Sequence, residues 1–273
     1  LKGGENCACI AEGPGGFIHC INQLSKYKKL DIKNIFGITL ISKDRTIPYW
    51  NQIILNNPIN KIINGRDKTG NLYNYENIEE FINTVDNNFC SLVTADGGFD
   101  YSEDYNSQET LSYKLIYSEI YLALHVQKIG GSFIIKMFDL FTYKTVQLLY
   151  LLYNCYKEIT IYKPFTSRLS NSEKYIICSD FIGVKNSTKR ILKEYYNKCE
   201  LLHIKVPDTF IHDINKFNNI FVEKQMETIR NILEIVKNEK TIDKKPSSIQ
   251  IENAINWCKN YDLPINDKCI HLK

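Results

Sequence analysis

Along its first two thirds the chain alternates between short apolar runs and amphipathic stretches. Cys7 to Ala11, Ile35 to Ile41, Ser91 to Ala95 and Phe133 to Phe138 are short and nearly free of polar positions. Runs of that kind predict strands buried on both faces. Glu158 to Lys163 and Lys174 to Cys178 extend the series. Between them, Phe17 to Lys29, Asn77 to Val85, Gln108 to Lys128 and Thr142 to Tyr156 read as helices. The third carries Leu111, Leu115, Leu122 and Val126 on one face, and Gly130-Gly131 is predicted to end it. Such alternation predicts an α/β fold: a mostly parallel, doubly wound sheet with helices on both faces.

The pattern changes beyond Phe181, where only helices are predicted. Val222, Met226, Ile229, Leu233 and Val236 repeat at spacings of four and three, an apolar stripe expected to pack on the sheet or on a partner helix. Lys240 to Pro246 reads as an exposed linker, and Ser247 with Gln250 offers a capping box for a last helix through Lys259. The predicted division is a sheet domain over residues 1–181 and a helical extension over 182–273. Ser42 to Asn60 is polar and proline-containing, and Gly65 to Leu72 is a loop by composition.

Composition narrows the class. Of 273 residues, 44% are apolar and 24% charged, as in an ordinary globular protein. A net charge of +3 is compatible with a polyanionic partner without requiring one. No apolar run reaches the length of a membrane span, and the first residues do not resemble a signal peptide, so an intracellular protein without a membrane partner is expected. Nine cysteines without a C-x-x-C pair are read as reduced, mostly buried thiols, and no metal site is expected. Cys7 and Cys9, two apart in a strand, are predicted to share one buried face. The chain starts at Leu1 rather than Met, and is read as a piece of a longer polypeptide.

Candidate chemistry begins at Ala11-Glu12-Gly13-Pro14-Gly15-Gly16-Phe17, a glycine turn between a strand and a helix. Glycines there permit a sharp turn and a close approach to a ligand, and the helix behind presents free N–H groups. A dinucleotide fingerprint fails because Ile18 stands where the third glycine belongs, which points to another nucleoside cofactor. Ligands of doubly wound sheets bind at the carboxyl ends of strands. Asp96 ends one predicted strand, Lys136 lies late in the next, and Glu173 enters a third. A lysine inside an apolar strand is costly unless paired. Asp96, Lys136 and Glu173 therefore form either a structural ion network or a device that holds and activates a hydroxyl nucleophile.

The motifs taken together resemble a known family. The glycine turn, Ala95-Asp96-Gly97-Gly98-Phe99, Lys136-Met137-Phe138-Asp139-Leu140-Phe141-Thr142 and Lys163-Pro164-Phe165-Thr166-Ser167-Arg168 with Asn171-Ser172-Glu173-Lys174-Tyr175 follow in order. Over roughly residues 7–180 they resemble the FtsJ-like S-adenosylmethionine-dependent RNA 2′-O-methyltransferases, in particular the branch acting on mRNA caps. The stretch Asp104-Tyr105-Asn106-Ser107-Gln108-Glu109 is similar to members from large DNA viruses. The resemblance implies a Rossmann-like methyltransferase fold and a Lys-Asp-Lys-Glu tetrad, in which Asp96, Lys136 and Glu173 are the last three members. The first lysine is expected outside this chain.

The same resemblance implies S-adenosylmethionine as cofactor and S-adenosylhomocysteine as product, with no metal. It places the methionine part along Glu12, Gly13, Pro14, Gly15, Gly16 and Phe17, and the adenine against Asp67, Asn71 and Leu72, with Asp96 also on the cofactor. Asn71 stands where relatives often have aspartate. Tyr105 and Asn106 would help hold the cap guanine, and Lys163, Ser167 and Arg168 would bind RNA phosphates. Leu169 replaces the proline usual there. The implied partner is a capped mRNA 5′ end, together with other capping-enzyme subunits. The implied location is the cytoplasm (viral factory or virion) for a viral protein and the nucleus for a cellular one. Two alternatives stay open: ribosomal or transfer RNA 2′-O-methylation, and a catalytically silent RNA-binding or scaffolding subunit.

Overall fold

The computed structural model describes residues 4–44, 46–87, 89–99, 101, 104–198, 202–237 and 245–272. Seven strands form one sheet: β1 (Glu5–Ile10), β2 (Ile32–Ile38), β3 (Asn60–Ile62), β4 (Cys90–Ala95), β5 (Gln127–Met137), β6 (Tyr156–Tyr162) and β7 (Lys174–Phe181). Their spatial order is β3-β2-β1-β4-β5-β7-β6. β1 to β5 pair in parallel, whereas β7 runs antiparallel to both β5 and β6. Helices α1 (Gly16–Lys28), α2 (Gln52–Leu55), α3 (Tyr75–Val85), α4 (Gln108–Val126) and α5 (Tyr143–Tyr153) lie between strands. α6 (Asn186–Tyr195), α7 (Asp208–Lys237) and α8 (Ser248–Asn260) follow them. The mostly parallel Rossmann-like sheet expected from the sequence is present.

Strands β1, β2 and β4 feed two cores, as a period of two allows. In β1, Ala8 and Ile10 join the large cluster with Ile78, Phe81, Leu122 and Leu148, under α3, α4 and α5. Cys7 and Cys9 face the other way, onto Ile18, Ile21, Trp50 and Ile54 under α1 and α2. Both thiols are fully buried, and no cysteines among the described residues form a disulfide. Each Ile or Leu so buried stabilises the fold by ~1.5–3 kcal/mol.

Several boundaries differ from expectation for visible reasons. Helix α4 ends at Val126 and β5 starts at once, so Gly130-Gly131 lies inside a strand rather than at a helix end. The buried Gln127 amide donates to Cys90 O at 2.9 Å, and Tyr156 Oη donates to Gln127 Oε1 at 3.1 Å. The ladder then shifts register between Cys90 and Leu92, and a Cβ on Gly131 would meet Gln127 Nε2 at 2.4 Å. The polar stretch 42–60 supplies the short α2, capped by Asn51, and leads into the brief edge strand β3. The capping box of Ser247 and Gln250 opens α8 as predicted.

One compact unit ends at Gln225 and a second begins at Met226, so α6 and the first part of α7 belong with the sheet. On the apolar stripe of α7, Met226 is 44%, Leu233 50% and Val236 66% exposed. Buried α7 residues, Ile214 and Asn218, lie only in its first half. Most of the predicted linker, residues 240–244, lies outside the described residues. Among the described residues no helix is long and apolar enough to cross a membrane.

The glycine turn is fixed from behind. Gly15 has φ 103° and caps α1, and a Cβ there would sit 2.1 Å from Ile54 Cδ1, whereas a Cβ on Gly16 would meet nothing within 4 Å. Gly15→Ala is therefore expected to lower the unfolding free energy by about 1–3 kcal/mol from backbone strain, with the clash added. Gly16→Ala is expected to change it by less than about 0.5 kcal/mol. Parallel urea titrations of the two variants check this contrast, and equal losses would contradict it.

Candidate active site

Strand β4 ends at Ala95, and the chain turns through Asp96-Gly97-Gly98 at the carboxyl edge of the sheet. β5, the next strand, carries Lys136 one residue before its end. The Lys136 ammonium donates to Asp96 O at 2.9 Å and lies 3.2 Å from Asp96 Oδ1. An ammonium has three N–H donors, so one is left for a ligand. Gly98 lies against this lysine, where a Cβ would stand 3.4 Å from Lys136 Nζ, an ordinary contact distance.

β7 completes the cluster through its register. Lys136 pairs with Tyr175, so their side chains share one face of the sheet, and Glu173 precedes the first residue of β7. Tyr175 Oη donates to Asp96 Oδ1 at 2.9 Å, and its ring meets Phe17 edge-on with centroids 6.1 Å apart. Burial, then the negative charge of Asp96, pushes the Tyr175 phenol far above its usual range, so it acts as a donor. Asp96 and Lys136 thus meet at one sheet edge, and Glu173 lies close enough to Tyr175 for its charge to help push that phenol up. Tyr175 is a fourth residue there that the sequence reading quoted without a role.

Two buried carboxyls flank the pair. Glu12, 3% exposed, accepts from the Ile18 amide and from Thr94 Oγ1, each at 3.2 Å. It stitches the first turn of α1 to β4. Glu119 of α4 is fully buried and accepts from the Gly97 amide at 3.0 Å. Sequence pattern missed Glu119, whose only signal was an acid amid Ile116, Tyr117, Ile120, Tyr121 and Leu122. Burial, with Asp96 nearby adding to it, pushes each carboxyl up to about 8.

The glycine loop lies beside this cluster. Gly13 N donates to Thr39 Oγ1 at 3.1 Å, and Gly15 N to Glu12 O at 2.6 Å. Asn51 N donates to Pro14 O at 3.1 Å, tying the loop to the start of α2. The Gly16 and Phe17 amides find no acceptor among the described residues. With the open space at Gly16 they form a positive helix N-terminus suited to an anionic group.

Asp67, Asn71 and Leu72 lie in the loop between β3 and α3, at the same edge of the sheet. Asp67 accepts from Thr69 N, Thr69 Oγ1 and Asn74 Nδ2, which hold its carboxyl well below the usual range. Asn71 accepts from Tyr73 N at 2.9 Å, and the buried Leu72 carbonyl accepts from Tyr196 Oη. The fully buried Asn77 amide bridges Asp67 N, Thr69 Oγ1 and Asn71 O. These side chains shape the loop itself. Gly70 lies close against Thr39 O, where a Cβ would collide, and Thr39 Oγ1 in turn accepts from Gly13 N of the glycine turn.

The RNA-side candidates divide. Tyr105 is 68% exposed in a 3-10 turn with Asn106, whose amide donates to Asp104 Oδ1. Arg168 is exposed on the β6–β7 loop, and Ser167 Oγ is buried there with no partner among the described residues. Lys163 departs from a free phosphate ligand: its ammonium donates to Asn171 O, Asn171 Oδ1 and Glu173 O. An ammonium enclosed by three oxygens clamps the loop in front of Glu173. Behind the loop is a cavity of about 320 Å³ whose walls include Phe141, Phe165 and Phe221, with Asp139 and Lys174 among its polar groups. No cluster of three or more His, Cys, Asp or Glu able to hold a metal occurs among the described residues.

Comparison with known proteins follows the same lines. The sequence model of the FtsJ-like methyltransferases matches residues 1–181. The chain is 30% identical over 250 residues to cap-specific mRNA (nucleoside-2′-O-)-methyltransferase 1 of Trypanosoma cruzi (strain CL Brener), covering 85% of this chain and 66% of that protein. It is 32% identical over 262 residues to cap-specific mRNA (nucleoside-2′-O-)-methyltransferase 2 of Danio rerio, covering 86% of this chain and 34% of the relative. The Drosophila melanogaster protein of the same name is 33% identical over 216 residues, covering 72% and 30%. The chain thus spans just under two thirds of the first relative and about a third of the other two.

The raised carboxyls carry a stability consequence with a defined sign. Glu12 and Glu119 keep their protons in the fold where the unfolded chain has lost them, so the folded state binds more protons between about 4.5 and about 8. Stability is full below that window and falls as pH rises through it, by up to ~1.4 kcal/mol per pH unit for each group. Glu12→Gln is expected to flatten the slope. Urea unfolding at pH 5, 6.5 and 8 checks it, and a wild-type stability that rises across this range would contradict the assignment.

Proposed function

Because this chain belongs to the FtsJ-like methyltransferase family, we propose that it moves a methyl group from S-adenosylmethionine to the ribose 2′-OH of the first transcribed nucleotide of a capped mRNA, leaving S-adenosylhomocysteine. The single observation that carries this reading is Lys136, held on Asp96 with one donor unspent, on the sheet face shared by Tyr175. The cap as substrate is supported by the names of the relatives, which describe cap-specific mRNA (nucleoside-2′-O-)-methyltransferases.

In this reading Gly13, Pro14, Gly15, Gly16 and Phe17 hold the methionine part, with the free amides of Gly16 and Phe17 on its carboxylate. Glu12 keeps that turn in place from within. The 65–72 loop takes the adenine, with Asp67, Asn71 and Leu72 fixing the backbone it presents, and Asp96 borders the cofactor from β4. The bound cofactor supplies an electrophilic methyl on a sulfonium sulfur.

Lys136 donates its third N–H to the ribose 2′-oxygen and steadies the negative charge that grows there as the hydroxyl proton leaves for solvent. Asp96 keeps the ammonium in position, Tyr175 keeps the Asp96 carboxylate from rotating, and Glu173 bounds the same pocket on the β7 side. The chemistry assigns no role to a metal. Tyr105 and Asn106 would face the cap guanine and Arg168 the RNA phosphates, while Lys163 holds their loop and the Ser167 hydroxyl stays buried within it. Residues 1–181 carry the transfer, and the helices beyond them offer a surface for other capping subunits. The place of action is the nucleus or the cytoplasm, where capped transcripts are made or handled.

The decisive experiment is transfer of labelled methyl to short RNAs. Capped and uncapped ends are compared, each with a free or an already 2′-O-methylated first nucleotide. Transfer that needs both the cap and a free first 2′-OH supports the proposal. Transfer indifferent to the cap would point to a structural-RNA substrate, and none at all, with ligand binding intact, to a silent subunit. Lys136→Ala is expected to reduce turnover by about 10²–10³-fold or more while leaving S-adenosylhomocysteine affinity within about threefold. Tyr175→Phe should reduce it about tenfold, the worth of one hydrogen bond to a charged group. Single-turnover assays and calorimetric titration read both.

A further inference from the structure

The peptide group between Asp96 and Gly97 is gripped at both ends. Its carbonyl, Asp96 O, accepts from Lys136 Nζ at 2.9 Å. Its N–H, on Gly97, donates to Glu119 Oε1 at 3.0 Å. The two side chains come from different elements, Lys136 from β5 and Glu119 from α4, and they meet across one planar amide. Rotating that plane would break both hydrogen bonds together. We propose that Glu119 is a positioning residue for the transfer reaction: through the Asp96–Gly97 peptide it sets the orientation of the carbonyl that holds Lys136. The inference rests on the methyl transfer proposed above.

Three further observations support a dedicated role over incidental packing. Glu119 is fully buried, with Ile116, Tyr117, Ile120, Tyr121 and Leu122 buried around it on the same helix. Its second oxygen, Oε2, is buried with no partner among the described residues. A carboxyl that only filled space would be replaced at no loss by an apolar side chain, since burying a polar group without full pairing is unfavourable. Gly97 is also shaped to receive it, for a Cβ at that position would stand 2.4 Å from Glu119 Oε1.

The charged groups that face Glu119 are Lys136 on β5 and Asp96 after β4. Burial pushes its carboxyl up to about 8, so near neutral pH it is a neutral acid. Its contribution is then an acceptor oxygen at a fixed place, and it adds no second negative charge beside Lys136. Hydrogen bonds in series polarise one another, so the Glu119 contact also strengthens the carbonyl as an acceptor.

Two substitutions separate this role from its rivals. Glu119→Gln keeps a neutral side chain of the same length with an oxygen acceptor. Glu119→Asp keeps the acid but withdraws it by one methylene. Both are measured in the full chain for turnover, RNA KM, S-adenosylhomocysteine affinity, thermal unfolding and hydrogen exchange at the Gly97 amide.

The expected result is that Glu119→Gln stays within about threefold of wild-type turnover with Gly97 still protected. Glu119→Asp should lose about tenfold in turnover and exchange Gly97 at least about tenfold faster, with KM and cofactor affinity little changed. In a Lys136→Ala background the same Asp substitution should have no further effect on residual transfer. Wild-type turnover in Glu119→Asp would overturn the proposal, and so would a Gln variant worse than the Asp variant, which would mean that charge is what matters. Should the wild-type chain transfer methyl to no RNA, the functional reading fails on its own. Gly97 exchange, with the rate of amine labelling at Lys136 in the same variants, would still decide whether Glu119 holds the peptide.

Discussion

A nearly buried ammonium needs an opposite charge beside it, and for Lys136 that charge is Asp96, at 3.2 Å. The neighbourhood is otherwise rich in acids. Glu12 and Glu119 approach from β1 and α4, and were both ionised, three carboxylates would crowd one cation. Burial prevents this by pushing both glutamates up to about 8. Each then serves as an acceptor, Glu12 for the Ile18 amide and Glu119 for that of Gly97. The site therefore has one ion pair on a scaffold of neutral hydrogen bonds. That arrangement leaves the remaining Lys136 donor available to whatever binds.

The antiparallel strand β7 makes the arrangement unique. Lys174 and Tyr175 are consecutive, so they point to opposite faces. Tyr175 joins Lys136, while Lys174 goes to the other face and donates to Phe138 O at 2.7 Å, with Asp139 at 3.7 Å. A slip of one residue would put the Lys174 ammonium beside Lys136 and bury Tyr175 against the loop after β5. Like charges in such a place are costly, so electrostatics and pleat select the same register. The cavity walled by Phe141, Phe165 and Phe221 lies on the Lys174 side and is a separate feature of this edge.

The sequence made some of this visible because the information is local. A glycine turn after an apolar run, an aspartate closing a strand and a lysine late in the next each identify themselves by neighbours within a few positions. Tyr175 did not, since its partner Asp96 is 79 residues away and only the β5–β7 register joins them. Glu119 was not singled out by spacing, because it only becomes visible once α4 is seen to be buried nearly all round. Lys163 reads as a phosphate ligand until the loop curls its own carbonyls, Asn171 O and Glu173 O, around the ammonium. Gly130-Gly131 looked like a helix stop, where the side chain of Gln127 and the ladder shift that follows it demand small residues. On α7 periodicity correctly announced a helix, but whether an apolar stripe is covered depends on what lies across from it, which no spacing encodes.

The helices after residue 181 are part of the site's geometry even without a residue in its chemistry. Tyr196, at the end of α6, donates to Leu72 O and pins the loop assigned to the adenine. On α7, Asn218 Nδ2 donates to Leu140 O at 2.8 Å in the turn after β5, and Gln225 Nε2 to Ser170 O at 3.1 Å in the β6–β7 loop. Three loops at the carboxyl edge of the sheet are thus held by side chains from beyond it. Loops of a doubly wound sheet carry the specificity and are the parts most free to move. Fastening them to helices that pack in the same compact unit restrains that motion and presets their shape, so less ordering remains to be done when a ligand arrives. It follows that residues 182–225 cannot be removed as an appendage without loosening the very loops that the sheet presents.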